Sequence, residues 1–276
     1  MHHNLYSPLT RYLLILFFSI PLYSCSSNDE IEYRELTVYE IYTQASEYLE
    51  SKRYRDAAIY FDEIERQHPY SVWATKSKLM SAYSLYMNNK YEDSIAALDR
   101  FIQVHPGNRD VAYAYYLKAL CYYEQISDVE RDQDMTERAL ISLQDIVTRF
   151  PESSYARDAN LKIDLTRDHL AGKEMAVGRF YIERRHYLAA INRFERVINQ
   201  YGDTTHSPEA LYRLVELYSI LGLSEQASKS ASVLGFNYPG SEWYNDAYSL
   251  IYKEGKKIQK ANKNDLLEKK QWWKFW

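Results

Sequence analysis

Few residues of this chain could do covalent or acid–base chemistry, and they do not converge. Seven histidines are scattered, and no His, Cys or acidic residues fall at metal-ligand spacing. Neither a Gly-x-Ser-x-Gly elbow nor a phosphate-cradling glycine loop is present. His68 and His105 hold the same place in a repeated phrase, at an expected helix C-terminus, where a partly charged imidazole suits the helix dipole. Asp132-Gln133-Asp134 places two carboxylates in one loop, which a cation could use and which a solvated helix start also explains. The expectation is therefore a non-enzyme with no catalytic residue, no metal and no cofactor. What the sequence offers is contact chemistry. It has 28 tyrosines in 276 residues, rigid and amphipathic side chains that suit surfaces made for binding. A net charge of −4 argues against nucleic acid as a partner.

The two cysteines sit in different settings. Arg11 is followed by an apolar run, Tyr12 to Tyr23, whose twelve residues reach roughly 18 Å as a helix and fall short of a ~30 Å hydrocarbon core. That is an export signal and not a spanning helix. Leu22-Tyr23-Ser24-Cys25 then has the form of a bacterial lipobox, with Cys25 as the lipidated residue and three acyl chains as a stable anchor. A plain secretory signal with an incidental cysteine is the other reading. Ser26 after the cysteine favours the outer over the inner membrane. Cys121 lies in an apolar helical stretch and reads as a small core residue.

The elements that must position the tyrosines come from an internal repeat. Lys52-Arg53-Tyr54-Arg55-Asp56-Ala57 returns as Asn89-Lys90-Tyr91-Glu92-Asp93-Ser94, 37 residues on. Unit ends fall at His68-Pro69, His105-Pro106, Phe150-Pro151, Tyr201-Gly202 and Tyr238-Pro239, at intervals of 37, 45, 51 and 37. Small residues recur on a first helix, Ala45, Ala82, Ala119 and Gly178 with Val215 as the exception, and on a second, Ala57, Ser94, Ala139, Ala190 and Ala227. They let paired helices approach, with Phe61, Leu98, Leu143 and Phe194 (weakening to Ala231) filling the groove. The pattern is that of the tetratricopeptide repeat, so the fold class is all-α, an α-solenoid of five helix-turn-helix repeats. The longest interval predicts one helix over 155–184, joining repeats three and four. Asp134-Met-Thr-Glu137 reads as a capping box. The expected organisation is a signal peptide at 1–24, a lipidated tether at 25–33, repeats one to three at 34–154, the long helix with repeats four and five at 155–255, and a basic aromatic tail at 256–276. The tail, ending Gln271-Trp-Trp-Lys-Phe-Trp276, reads as a membrane-interface or partner contact, a cap on the last repeat, or a disordered end.

First helices line the concave face of such arrays. Tyr39, Tyr42, Tyr83, Tyr86, Tyr113, Tyr116 and Tyr123 are thus expected in one groove suited to an extended, aromatic-rich peptide, with Leu79 and Met175 also facing inward. Packing of several of these tyrosines between helices is the alternative.

These residues resemble the BamD family, lipoproteins of the outer-membrane β-barrel assembly machinery. The resemblance spans about residues 30–250 and rests on Leu22-Tyr-Ser-Cys25, Tyr54-Arg-Asp-Ala-Ala-Ile-Tyr-Phe61 with Pro69-Tyr-Ser71, and Arg131-Asp132-Gln133. It continues through His169-Leu-Ala171 with Glu174, Val177-Gly-Arg-Phe-Tyr181, Ala190-Ile-Asn-Arg-Phe194 and Glu209-Ala-Leu211. It implies a scaffold lipid-anchored in the outer membrane and facing the periplasm. The implied partners are the periplasmic domains of the barrel subunit BamA, other assembly-machine subunits and unfolded outer-membrane β-barrel proteins. N-terminal repeats would take substrate and C-terminal repeats BamA, with Arg193 as the expected salt-bridging contact. A periplasmic repeat adaptor working with the Tol system is the runner-up, disfavoured by the lipobox and by the lack of a preceding coiled coil. An envelope hydrolase lacks its catalytic groups.

Overall fold

Two small-residue columns on facing helices bring each repeat together. The computed structural model describes residues 36–253, and from Thr37 onward the described residues pack as one unit of α-helices without strands. Unit one is α1 (Val38–Glu50) with α2 (Tyr54–Gln67), and unit two is α3 (Val72–Met87) with α4 (Tyr91–Val104). Unit three is α5 (Val111–Tyr123) with α6 (Asp134–Arg149). The long α7 (Ser154–Glu183) and α8 (Tyr187–Gln200) follow, then α9 (Ser207–Ile220) and α10 (Ser224–Asn237), and a helix α11 described over 242–253. This is the five-unit tetratricopeptide array the spacing predicts.

The columns lie where the periodicity places them. Ala45, Ala82, Ala119 and Val215 have no exposed surface, and neither do Ala57, Ser94, Ala139 and Ala190. Volume is traded across the pair. Gly178 lies under the ring of Phe194, so close that an added Cβ would sit 2.5 Å from it. Val215, the exception in the small column, is matched by the small Ala231 where the other units carry Phe or Leu. In unit two the Ser94 hydroxyl donates to the Ala82 carbonyl at 2.8 Å, so even the polar member of the column is satisfied inside the pair.

Turns repeat as well. The first-to-second-helix turn passes through a left-handed residue at Lys52 (φ 61°), Asn89 (58°), Arg185 (62°) and Gly222 (74°). Each second helix ends with a backbone N–H donating to the carbonyl of the last apolar column, His68 to Ile64 and His105 to Phe101. His68 and His105 thus stand at helix C-termini, as their shared place in the repeat predicts.

α7 serves two units. Its first half packs Ala156 and Ala159 against Ala119, Leu143 and Ile146 of unit three. Its second half packs Ala171 and Met175 against Ala190, Phe194 and Val197 of unit four. Ser153 caps it, accepting from the Ala156 N–H at 3.1 Å. The loop before α6 differs from expectation: Asp134 is the first helical residue and pairs with Arg138, so there is no capping box. The buried Gln133 holds the loop instead, donating to the carbonyls of Asp128 and Arg131 and accepting from Thr136. α11 covers the open end of unit five, burying Ala247 beside Leu211, Val215 and Leu234. Residues 1–24 and 25–33, with Cys25, and the tail 256–276 lie outside the described residues. Among those described, no helix is long and apolar enough to cross a membrane.

Candidate functional site: the inner tyrosine face

First helices touch in succession, α1 with α3, α3 with α5 and α5 with α7, while second helices make no comparable approach. A stack that is closer on one side curves toward it, so the first helices form the inner face. Every tyrosine singled out from the sequence belongs to α1, α3 or α5. Tyr39 stands free, 76% exposed, and the other six are half-buried.

The half-buried rings join one first helix to the next. Tyr42 packs against Trp73 with centroids 4.7 Å apart, and Lys76 lies over both rings at 5.5 and 5.8 Å. Tyr83, Tyr86 and Tyr91 form a chain, and the Tyr86 hydroxyl donates to Glu124 at 3.3 Å. Tyr113 and Tyr116 both pack on Tyr155, at 5.5 and 5.2 Å. The Tyr116 hydroxyl donates to Asp158, and Lys162 lies 5.4 Å above the Tyr123 ring. The inner face therefore carries successive clusters of rings with a sparse row of charges.

Burial and the neighbouring carboxylates shift the titration of these groups. Burial, then the Glu124 carboxylate, pushes the Tyr86 phenol up to about 12. Burial also raises Tyr113 and Tyr116, the latter further through Asp158. Asp158 moves the opposite way, held below the usual carboxylate range by the Tyr116 hydrogen bond and then by Lys162.

Leu79 and Met175 do not line this face. Both are buried, in the cores of units two and four. Missed from sequence were Trp73 and Tyr155, though a signal was there. Pro-x-Ser-x-aromatic occurs as Pro69-Tyr-Ser71-Val-Trp73, Pro151-Glu-Ser153-Ser-Tyr155 and Pro239-Gly-Ser241-Glu-Trp243. In each case the unit before it carries a tyrosine three residues ahead of its small column, Tyr42, Tyr116 or Tyr212, and that ring meets the aromatic. Where the same place holds Leu79 or Met175, the next unit lacks the phrase and the residue turns into the core.

Past α7 the inner face is dominated by charge. Glu209 accepts from Arg179 at 3.3 Å and from Arg213 at 3.4 Å, and Arg213 also reaches Glu216 at 3.0 Å. Arg193 on α8 is 33% exposed at its side chain, with Nη1 3.0 Å from Glu174. Arg196 shares that carboxylate at 3.0 Å. Cys121 is buried, and burial pushes its thiol up to about 11, leaving it protonated at neutral pH. Among the described residues no cluster of His, Cys, Asp and Glu could hold a metal ion.

The profile of the YfiO family, described as outer membrane lipoprotein, matches residues 34–234, the whole repeat array up to α10. The chain belongs to this family. Its relatives carry the description "Outer membrane protein assembly factor BamD". That of Caulobacter vibrioides is 51% identical over 223 residues, covering 81% of this chain and 73% of the relative. That of Rickettsia prowazekii is 48% identical over 244 residues, covering 88% and 97%. That of Neisseria meningitidis is 27% identical over 283 residues, covering 97% and 100%. The inner tyrosine face is thus the inner face of a BamD-family array, and α11 lies beyond the part the profile matches.

Proposed function

We propose that the protein is a non-catalytic scaffold of the outer-membrane β-barrel assembly machinery, anchored by lipid on Cys25 and facing the periplasm. Its N-terminal three units receive extended, aromatic-rich segments of unfolded barrel proteins, and its C-terminal units hold the periplasmic domains of BamA. The observation that carries the first part is the succession of ring clusters on α1, α3 and α5. Fixed aromatic faces take apolar side chains, and the hydroxyls of Tyr86 and Tyr116, donating to Glu124 and Asp158, hold their rings in place for that contact. Family membership supports the assembly role, since the relatives are described as outer membrane protein assembly factors.

For BamA, Arg193 is the candidate contact. Arg196 also binds Glu174, so a partner carboxylate could take Arg193 without leaving Glu174 unpaired. The test uses full-length protein in detergent and a labelled extended peptide ending in aromatics. Tyr39→Ala and Tyr83→Ala should each weaken binding roughly tenfold with helicity unchanged. Unaltered affinity in both would sink the groove. In the same preparation, purified from envelopes, BamA should co-purify in near-equal amount and be depleted by Arg193→Glu. Recovery of Tol components without BamA would favour the periplasmic repeat adaptor that coordinates envelope constriction with the Tol system.

A further inference from the structure

The middle of α7 carries a stripe that the fold leaves uncovered. Ala171, Met175 and Gly178 face α8 and are buried. Helical periodicity continues their stripe toward the N-terminus through Asp168, Asp164 and Leu161, with Leu165 at its edge. α8 is too short to follow it: α7 has 30 residues, roughly 45 Å, and α8 has 14, roughly 21 Å. Arg167 marks where α8 stops, its Nη2 donating to the Gln200 carbonyl at 2.9 Å and to Asp203 at 2.6 Å. Beyond that point Leu161 and Leu165, one turn apart, are 66% and 62% exposed. With Asp164, Asp168, Thr204 and Thr205 they line a cleft of about 600 Å³.

We propose that this cleft docks a basic amphipathic helix of a partner protein, laid along α7 as a continuation of α8. Elsewhere in the array the matching face of a first helix is covered by a second helix, so the space has a helix's shape. Two leucines one turn apart seat apolar side chains at the same spacing. Charge selects the partner's sign. Where the covered stripe carries alanine, methionine and glycine, the open part carries Asp164 and Asp168, with Asp203 also lining the cleft. Arg167 neutralises Asp203, and Asp168 accepts from Thr205 at 2.6 Å and lies 3.7 Å from His206. Asp164 has no ion pair among the described residues. The C-terminal end of α8, the negative end of its dipole, borders the same space. Lysine or arginine beside an apolar stripe, or a helix N-terminus, meets all of these. An anionic lipid surface would be repelled by Asp164 and Asp168. None of the tyrosines assigned to the peptide groove lines the cleft.

The test titrates full-length protein in detergent with a synthetic helix of leucine and lysine at helical spacing, and with its leucine–glutamate counterpart. The lysine helix should bind saturably and the glutamate helix should not. Leu161→Asp with Leu165→Asp should weaken binding at least roughly tenfold. Asp164→Lys with Asp168→Lys should reverse the preference between the two helices. Tyr83→Ala, which should weaken the aromatic peptide, should leave binding of the lysine helix as before, which separates this site from the peptide groove. Unaltered binding in the double-leucine variant would overturn the proposal, as would binding that follows the leucines but ignores the charge reversal. Self-association in sedimentation that the double-leucine variant abolishes would give the cleft to a second copy of this chain and overturn it too.

Discussion

Gly178 shows how tightly single residues are set in this array. Its helix is regular, so backbone freedom does not explain the glycine. The Phe194 ring occupies the place of a Cβ. Gly178→Ala should therefore destabilise the protein by about 1–3 kcal/mol through overpacking, read from the urea midpoint. Adding Phe194→Leu should recover part of the loss, because Ala82 tolerates Leu98 in the same two columns of unit two. Failure of that rescue would mean that the ring does not set the column.

At the scale of elements, the seams between first helices repay attention as much as the helices themselves. Tyr42–Trp73, Tyr116–Tyr155 and Tyr212–Trp243 are three copies of one device, at centroid separations of 4.7, 5.2 and 5.3 Å. Each joins the end of one unit's surface to the start of the next first helix. A double-mutant cycle between Tyr42→Leu and Trp73→Leu should give a coupling of about 1 kcal/mol in unfolding free energy. Additive losses would show that the rings only happen to be near. The same seams would serve the proposed peptide groove, because rings committed to packing are held rigid and lose less entropy on contact with a ligand.

The whole molecule is a line of neighbours, and each unit depends on the one beside it. Unit five is the thinnest link, with Ala231 where the other units carry Phe or Leu, and its outer side is closed by α11. Hydrogen exchange should therefore open α9 and α10 before α7 and α8. Ala247→Asp, which puts a charge where α11 is buried, should hasten exchange in α9 and α10 and leave α1 to α4 as before. Uniform acceleration along the chain would instead mean one global cooperative unit.

Sequence alone determined the repeat, its columns and its irregular spacing, because periodicity and residue volume are local properties that packing must respect. It also determined that the tyrosines lie on first helices, and it located the long helix to within a residue at each end. Tertiary structure decided which rings are free. Tyr39 and Tyr42 differ by a single turn, yet one faces solvent and the other meets Trp73, a residue of the next unit. Pairing across a seam depends on helix-to-helix distance, which no single helix encodes. The same reason sent Leu79 and Met175 into the unit cores and away from the groove, put Gln133 rather than a capping box in charge of its loop, and tied Arg193 to Glu174. The open stripe on α7 likewise depends on where α8 stops against Arg167, a fact that exists only once both helices are packed.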